Sequence, residues 1–391
     1  MYDQIEKYSR KLISDRSALP DRIAFAAQDD TVIAAGDAGL ARLAAAVLER
    51  LNCLALCAAA PALPFAVFLL QRAANHELEI VPRDTETRTF LHDIPILRRN
   101  DLGDDPVEAI AHVLGNRKGV IVQGIGIVAS GALTVEQAFI NWSSVFHSTF
   151  IKYLEDVLQD GFKLPDEAQA FDHFRTKWLV RLTAEGLIFR NGPLRDKADI
   201  LDEMARVGRY TVERGLVDSF FGNISYSNGD LLYISQTASS LDELAGCIDP
   251  VPFENSSTVG ITASSELVAH RRIFETAGCR AILHGHPRFA VVMSMLCDEK
   301  EHCPIADCWK DCPRVRILGG TPVVAGEIGA GGIAKNLPPV IGGPGRAIVY
   351  GHGVFTLGRA DFAEAFQALV DVENWCREEY FRRFDERQGG P

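Results

Sequence analysis

The stretch Arg280-Ala-Ile-Leu-His-Gly-His-Pro287 carries the strongest structural signal in this sequence. Its apolar run predicts a buried strand, and side chains two residues apart on a strand point to the same face. His284 and His286 are therefore expected to bind one ion between them. A second apolar stretch, Ala347-Ile-Val-Tyr-Gly-His352, is predicted to be a strand that delivers a third imidazole. Three neutral imidazoles with an open fourth position are a ligand set for a catalytic divalent ion, most often zinc.

The composition is that of a globular protein of ordinary type. The chain has 391 residues, enough for two domains and a substantial core. Its formal net charge is −12 and no long basic run occurs, so we expect no nucleic-acid partner. The start, Met1-Tyr-Asp-Gln-Ile-Glu-Lys7, contains no apolar signal core. We therefore expect a cytoplasmic protein whose nine cysteines are reduced thiols.

One uncharged stretch, from Leu51 through Gln71, invites comparison with a membrane span. A spanning helix needs roughly 20 apolar residues, so the length is marginal. Pro61 and Pro64 interrupt the stretch, and small alanines fill its middle. We predict a buried strand followed by a buried helix, and no membrane association.

Two glycine-rich segments indicate an internal repeat. Val120-Ile-Val-Gln-Gly-Ile-Gly-Ile-Val-Ala-Ser-Gly131 aligns with Ala347-Ile-Val-Tyr-Gly-His-Gly-Val-Phe-Thr-Leu-Gly358 at an offset of 227 residues. The same offset pairs Ile94-Pro-Ile-Leu97 with Thr321-Pro-Val-Val324, and the apolar pattern persists over about a hundred residues. Duplication explains one constant offset better than chance similarity between two α/β segments.

The candidate ligands occur in one copy only. At the offset of 227, His284, His286, His352 and a candidate acid–base residue, Glu266, align with Cys57, Ala59, Ile125 and Gly39. The first copy is thus predicted to be degenerate, and also truncated, because residue 1 would correspond to Asn228. We predict a degenerate repeat over 1–160, a linker over 161–184 and a catalytic domain over 185–385. An alternative for the first half is an independent Rossmann-like domain, suggested by Val32-Ile-Ala-Ala-Gly-Asp-Ala-Gly39.

Two further motifs have a physical interpretation. Asn228-Gly229 is a type I′ turn signal, so the chain from Gly222 is expected to form a hairpin. Ser264-Ser265-Glu266 precedes an apolar-periodic stretch and is predicted to begin a helix. Amides and hydroxyls at a helix N-terminus suit an anion such as phosphate. The alternative is an ordinary helix cap followed by a surface glutamate.

Together, four motifs give the second half a family resemblance. Between about residues 200 and 375 it resembles the class II aldolase/adducin family, in the motifs Gly222-Asn-Ile-Ser225, Ala263-Ser-Ser-Glu266, His284-Gly-His-Pro287 and Gly351-His-Gly-Val354. The resemblance implies a three-layer α/β/α domain around a mainly antiparallel sheet, preceded here by a truncated pseudo-repeat of similar fold. It also implies active sites between neighbouring subunits of a ring, hence a homo-oligomer, dimer or tetramer. The degenerate repeat would then take the place of one neighbour.

The resemblance also assigns roles to individual residues. His284, His286 and His352 would bind Zn²⁺ or another divalent ion, and Glu266 would transfer the proton. The substrate phosphate would be bound by Asn223, Thr237, Ser264 and Ser265. The implied reaction is that of an aldehyde-lyase, which cleaves or forms a C–C bond in a small phosphorylated or acidic hydroxy-carbonyl compound through a metal-stabilised enediolate. A sugar phosphate is the expected substrate.

The sequence departs from the family pattern at one loop. Where the family commonly has Thr-Pro-Ser-Gly, this chain has Ser235-Gln-Thr-Ala238. The glycine that would allow a phosphate to approach the backbone is absent. Family aldolases also use a tyrosine from a neighbouring chain or near the C-terminus, and Tyr380 is a candidate counterpart.

Other functions stay open at this level. Epimerisation or dehydration of a sugar phosphate would use the same ion and the same residues. A non-catalytic, adducin-like assembly protein would keep the fold without the ligands. A separate metal site at Cys297, Cys303, Cys308 and Cys312 also stays open, although the spacing lacks a Cys-x-x-Cys pair.

Overall fold

The computed structural model describes residues 1–217, 220–254, 258–299, 302–326 and 330–388. The chain forms two compact units, Met1–Val180 and Arg181–Pro391. We call them unit 1 and unit 2. The domain limits given above, with a linker over 161–184, stay a prediction.

Unit 1 contains a seven-stranded sheet. Its strands are β1 (Ala18–Gln28), β2 (Val32–Gly36), β3 (Ala55–Pro61), β4 (Glu79–Ile80), β5 (Ile94–Leu97), β6 (Gly119–Val122) and β7 (Gly126–Gly131). Their order across the sheet is β2-β1-β3-β7-β6-β5-β4. Only β5 and β6 run parallel among the paired strands of the described chain in this unit.

Helices cover both faces of this sheet. They are α1 (Tyr2–Ser14), α2 (Ala38–Leu48), α3 (Phe65–Arg72), α4 (Thr85–Leu91), α5 (Pro106–Leu114), α6 (Val135–Asp160) and α7 (Glu167–His173), with a 3-10 turn at Arg99–Leu102 and a π-helical turn at Phe174–Trp178. α2 and α5 share an apolar core with one face of the sheet. On the other face, the Trp142 indole N–H of α6 donates to the carbonyl of Ile127 at 3.1 Å. α6 ends at Asp160, where Gly161 adopts a φ of 74°.

Unit 2 contains an eight-stranded sheet. Its strands are β8 (Asn223–Ser227), β9 (Leu231–Ser235), β10 (Ile248–Pro252), β11 (Ala281–Gly285), β12 (Arg316–Leu318), β13 (Thr321–Val324), β14 (Arg346–Val349) and β15 (Gly353–Gly358). Their order is β10-β9-β8-β11-β15-β14-β13-β12, with β13 and β14 parallel. The predicted hairpin at β8 and β9 is confirmed. Its turn is not of type I′, because Gly229 has a positive φ and Asn228 does not.

The helices of unit 2 again lie on both faces. They are α8 (Lys197–Glu213), α9 (Leu267–Ala277), α10 (Arg288–Met295), α11 (Cys308–Asp311), α12 (Ala330–Asn336), α13 (Pro338–Ile341) and α14 (Phe362–Gln388), with 3-10 turns at Leu241–Glu243 and Thr258–Ile261. α9, α12 and α13 share an apolar core with one sheet face. α14 packs against β11 and β15 and contacts α10. The three-layer α/β/α arrangement around a mainly antiparallel sheet is as expected.

The two sheets have the same strand order once β10 is set aside. Each strand pair in unit 1 has a counterpart in unit 2 with the same relative direction, including the single parallel pair. The offset of 227 residues also recurs. β6 begins at Gly119 and β14 at Arg346, while α6 begins at Val135 and α14 at Phe362. The two units are therefore versions of one architecture, as the internal repeat predicts.

Strand pairing changes one detail of the predicted alignment. β7 and β15 keep the offset of 227, and Val128 and Phe355 are the matching residues. Val128 pairs with Ala58, whereas Phe355 pairs with His284. The position that matches His284 is thus Ala58, and not Cys57 as the ungapped alignment predicts. The chain between these two paired positions is one residue longer in unit 2 than in unit 1, and a constant sequence offset does not show such a change.

The shortened part of the first copy lies in its middle and not at its start. α1, β1 and β2 are the counterparts of α8, β8 and β9, so the helix and hairpin are present in both units. β2 is separated from α2 by Asp37 alone, whereas the segment 236–266, with β10, separates β9 from α9. The truncation to Asn228 predicted from the offset is wrong in position, because the offset ignores this missing segment.

Two other expectations concern unit 1. Its sheet is mostly antiparallel, so the Rossmann-like alternative is wrong, since that fold needs a parallel sheet. The uncharged stretch forms β3 and α3, as predicted. Within the described residues, the helices include none with the length and hydropathy of a membrane span.

Candidate metal centre

Three elements bring the predicted ligands together. His284 lies on β11, which pairs with β8 on one side and β15 on the other. His286 follows one residue after the strand ends. His352 follows the predicted strand in the turn between β14 and β15, because β14 ends at Val349 and Gly351 reverses the chain with a φ of 59°.

The three side chains converge. His284, His286 and His352 each offer one ring nitrogen, and these atoms all lie within 4.8 Å of one another. The Nε2 atoms of His284 and His286 are 2.9 Å apart. Both side chains are buried, with 1% and 3% of their surface exposed. This is the only such group of histidine, cysteine or acidic side chains within the described parts of the chain.

A backbone contact determines which nitrogen of His284 faces the centre. The Nδ1 atom lies 3.0 Å from the carbonyl oxygen of Val354. A carbonyl oxygen only accepts, so Nδ1 carries the proton and Nε2 presents its lone pair to the other histidines. The ring also stacks on Phe355, with centroids 3.9 Å apart. Outer contacts of this kind orient metal-binding histidines in proteins.

Glu266 lies beside this group. Its Oε1 atom is 3.0 Å from Nε2 of His352, and its Oε2 atom is 3.5 Å from Nε2 of His284. The side-chain amide of Asn223 donates to Oε2 at 2.6 Å. Burial raises the pKa of the Glu266 carboxyl, but the electrostatic interaction with the His284 ring and the hydrogen bond with His352 outweigh it, so that this pKa lies well below its ordinary value.

The donor set suits a divalent ion. The lone pair on Nε2 of His284 faces Nε2 of His286, and two imidazole nitrogens this close need a proton or a cation near them. Three nitrogen ligands and one adjacent carboxylate match the ligand preferences of zinc. A divalent charge would also be balanced in part by buried Glu266.

Asn223 has capacity for a further contact. The residue is 6% exposed, and its Oδ1 atom has no hydrogen-bond partner among the residues that the structure describes. A buried oxygen without a partner is costly in a folded protein. Asn223 is therefore placed to accept a hydrogen bond from a bound molecule next to Glu266.

The other predicted substrate-binding residues differ in position. Ser264 is buried, and its Oγ atom accepts from the backbone N–H of Glu266 at 3.3 Å. Ser265 is exposed. Thr237 is also exposed, but its hydroxyl donates to the carbonyl of Ala263 at 2.9 Å. The backbone N–H of Thr237 donates to the carbonyl of Thr262 at 3.0 Å. Thr237 thus uses its two donors within the protein.

The loop that lacks the family's glycine keeps a glycine-like conformation. Ala238 has a φ of 60°, in the left-handed region that alanine disfavours by roughly 1–2 kcal/mol. The Ala238→Gly variant is therefore expected to be more stable by up to about 1 kcal/mol. Denaturant unfolding measures this, with Ala74→Gly, at an exposed loop position of ordinary φ, as the control that should lose stability. A destabilised Ala238→Gly protein would contradict the conformation described here.

Ser225 and His270 form a pair that the sequence did not reveal. The Ser225 hydroxyl lies 2.6 Å from Nδ1 of His270, and burial lowers the pKa of His270 to about 3. His270 lies on α9, one helical turn after Glu266, but its side chain has no described hydrogen bond with Glu266. Ser225 belongs to the Gly222-Asn-Ile-Ser225 motif, which is the only sequence signal for it.

Two weaker sequence expectations do not lead to a site. Tyr380 is fully buried and packs edge-on against Phe289 and Phe381, so it is a core residue of α14. An aromatic side chain on a helix faces the core when its neighbours in space are apolar, and the sequence alone does not show those neighbours. The four cysteines from Cys297 to Cys312 form no convergent group of three within the described residues.

Gly353 makes the approach of the histidines possible. A Cβ atom at this position would lie 2.5 Å from the carbonyl oxygen of Gly285 and 2.8 Å from Cε1 of His284. It would also lie 3.1 Å from Cδ2 of His286. No side chain larger than hydrogen fits there without displacing the two ligands.

The helix that carries Glu266 begins without a side-chain cap. Glu266 occupies the N-cap position of α9, and no described side chain caps that end. In unit 1 the N-cap position of α2 is Asp37, whose carboxylate accepts from the backbone N–H of Leu40 at 2.8 Å. An acidic residue thus begins the helix in both units, and only Glu266 directs its carboxylate toward histidines.

Known proteins share the features of unit 2. Residues 202–380 match the family described as Class II Aldolase and Adducin N-terminal domain. L-fuculose phosphate aldolase of Methanococcus maripaludis is 26% identical over 170 residues, which are 42% of this chain and 88% of that protein. The three-layer fold of unit 2 agrees with this match of residues 202–380 to the class II aldolase and adducin family.

Solved structures with similarity cover about half of the chain. L-fuculose-1-phosphate aldolase from Thermus thermophilus shares 24% identity and covers 50% of this chain and 99% of its own, with a TM-score of 0.40. Sugar-phosphate aldolase from Thermotoga maritima shares 20% identity and covers 47% of this chain and 94% of its own, with a TM-score of 0.35.

Proposed function

We propose that the protein is a metal-dependent aldolase, an aldehyde-lyase that cleaves or forms a C–C bond in a small hydroxy-carbonyl compound. The observation that carries this proposal is the convergence of three histidines within 4.8 Å, with the Glu266 carboxylate 3.0 Å from one of them. The match of residues 202–380 to the class II aldolase and adducin family supports it.

The histidines and Glu266 would divide the work. His284, His286 and His352 would hold Zn²⁺ or another divalent ion, which as a Lewis acid would polarise substrate carbonyl and hydroxyl oxygens. Glu266 would take and return the proton at a carboxylate oxygen, and Asn223 holds that oxygen in place through the 2.6 Å hydrogen bond. Burial of these groups excludes bulk water, which strengthens each electrostatic contact.

The substrate is proposed to carry an anionic group, with a sugar phosphate as the first compound to test. Ser264 and Ser265 precede α9, where backbone amides and hydroxyls favour an anion. The curated relative is a phosphate-ester aldolase by its name, which supports a phosphorylated substrate. The donors at the start of α9 are neutral amides and hydroxyls, which can also bind a carboxylate. A carboxylate is therefore the alternative anionic group of the substrate.

The first test is metal binding. His284→Ala is expected to lose bound zinc and all measurable turnover, because it removes the ligand at the centre of the group. Zinc content after dialysis against the free ion, and turnover over a panel of sugar phosphates and hydroxy acids, measure these two effects. His112→Ala, at an exposed histidine of unit 1, is the control and should match the wild type.

Each outcome selects one function. Zinc uptake at one ion per chain with cleavage of a panel compound supports the aldolase. Zinc uptake with isomerised or dehydrated product would identify an epimerase or dehydratase at the same site. Wild-type protein that takes up no divalent ion would contradict both and favour an adducin-like assembly role.

The proposal also includes a cytoplasmic homo-oligomer, either a dimer or a tetramer. Light scattering that shows a stable monomer would contradict this part of the proposal.

A further inference from the structure

The segment 236–266 is present only in the unit that carries the histidines. Unit 1 builds its seven-stranded sheet with Asp37 alone at the corresponding place. The shared sheet therefore does not need this segment for its architecture. The segment instead brings Ser264 and Glu266 to the start of α9, beside the histidines.

Two stretches of chain, one after β9 and one before Glu266, lie side by side next to the site. The backbone N–H of Ser264 donates to the carbonyl of Ser235 at 3.0 Å, and that of Thr237 to the carbonyl of Thr262 at 3.0 Å. Gln236 and Ala263 form an isolated antiparallel bridge. These backbone hydrogen bonds form a short ladder that holds the loop after β9 against the residues before Glu266. A displacement of one stretch is therefore expected to displace the other.

Asp249 on β10 joins the two sides of the ladder. Its Oδ1 atom accepts from the side-chain amide of Gln236 at 2.8 Å, and its Oδ2 atom accepts from the hydroxyl of Thr262 at 2.6 Å. Asp249 is 6% exposed, so its carboxylate is largely shielded from water. Hydrogen bonds to a charged acceptor are about twice as strong as neutral ones.

The contact lies in the loop that departs from the family pattern. Gln236 stands where the resembling loop has proline, and Ala238 where it has glycine. A proline would restrict the backbone by its ring. Here the Gln236 side chain, bonded to Asp249, restrains the same backbone instead, and Ala238 is held with a φ of 60°.

We infer that Asp249 is a positioning residue for the anion-binding side of the site. It touches neither the histidines nor Glu266 in the described contacts, and acts by holding Gln236–Ala238 against Thr262–Ser264. The inference rests on the proposed function, since it assumes that an anion binds near Ser264. It predicts that loss of Asp249 weakens anion binding while the metal ligands keep their affinity.

The test uses zinc-loaded full-length protein and inorganic phosphate as the probe. Asp249→Ala is expected to weaken phosphate binding about tenfold or more in calorimetry, as a lost pair of charged hydrogen bonds implies. Its zinc affinity should stay within about twofold of the wild type, because no ligand is touched. Asp249→Asn, which can accept only one of the two bonds, should fall between. Asp230→Asn, in the exposed β8–β9 turn, is the matched control and should have no effect.

A double-substitution cycle separates positioning from general loss of stability. Gln236→Ala with Asp249→Ala should weaken phosphate binding no more than Asp249→Ala alone, since the contact that Gln236→Ala removes is already lost in Asp249→Ala. Wild-type phosphate affinity in Asp249→Ala would overturn the inference, as would zinc-loaded wild type that binds no phosphate. Protein that takes up no zinc would overturn the proposed function itself, and is recognised before phosphate is added.

Discussion

Glu266→Ala is expected to bind zinc at the wild-type ratio of one ion per chain and to lose turnover by about 10²–10⁴-fold, the usual contribution of a positioned acid–base group. The three imidazoles that would hold the ion remain, so the ligand set is intact. What is lost is a carboxylate 3.0 Å from His352 and 3.5 Å from His284. Activity should fall in kcat far more than in KM, because the group acts on the proton and not on substrate capture.

Metal analysis and steady-state kinetics on the same protein check this result. Glu275→Ala, on the same helix and exposed, serves as the matched control and should retain turnover. Glu266→Gln adds a second test, because the amide keeps the size of the side chain but cannot take a proton. Normal turnover in either Glu266 variant would show that another group transfers the proton. Loss of zinc together with turnover would show instead that Glu266 is a ligand.

Gly353→Ala is expected to lose the thermal stabilisation that zinc confers on the wild type. The added Cβ would lie 2.8 Å from Cε1 of His284 and 2.5 Å from the carbonyl of Gly285, so β11 or the His284 ring must move. Overpacking of this kind costs about 1–3 kcal/mol in the folded protein. Displaced ligands add a loss of metal affinity, because zinc needs its three nitrogens within a narrow range of distance.

Thermal unfolding with and without zinc separates these two effects. Wild-type protein gains stability in proportion to the logarithm of the zinc concentration over its dissociation constant. Gly353→Ala should unfold at lower temperature without zinc and gain little when zinc is added. Gly343→Ala, where a Cβ meets nothing within 4 Å, should behave as the wild type. A wild-type zinc response in Gly353→Ala would contradict the packing described for the centre.

Residue periodicity predicted the parts of the site that a strand or a turn determines. His284 lies on β11 and His286 directly follows it, and the sequence shows their two-residue spacing directly. The constant offset of 227 predicted the shared architecture of the two units, because whole strands and helices kept their spacing. The contact of His352 with Glu266 joins residues 86 positions apart, and only the order of the strands brings them together.

Features that depend on side-chain direction could not be predicted in this way. The Ser225–His270 pair and the Asp249 contacts join residues with no recognisable spacing. The offset also could not show that His284 matches Ala58, because a one-residue change in a loop alters strand register without changing the apolar pattern. Burial of Tyr380 follows from its packing against Phe289, which a single sequence does not show.

At the start of α9, the residue that the site requires is not one that stabilises the helix best. In unit 1, Asp37 stabilises its own helix by accepting from Leu40. Glu266 leaves that role unfilled, and a missing cap costs about 1 kcal/mol. Engineering for heat resistance would therefore favour serine, aspartate or asparagine at position 266, the residues that cap helices best. Selection for stability alone would thus remove the carboxylate from the histidines, and a thermostable library should be screened for activity at this position first.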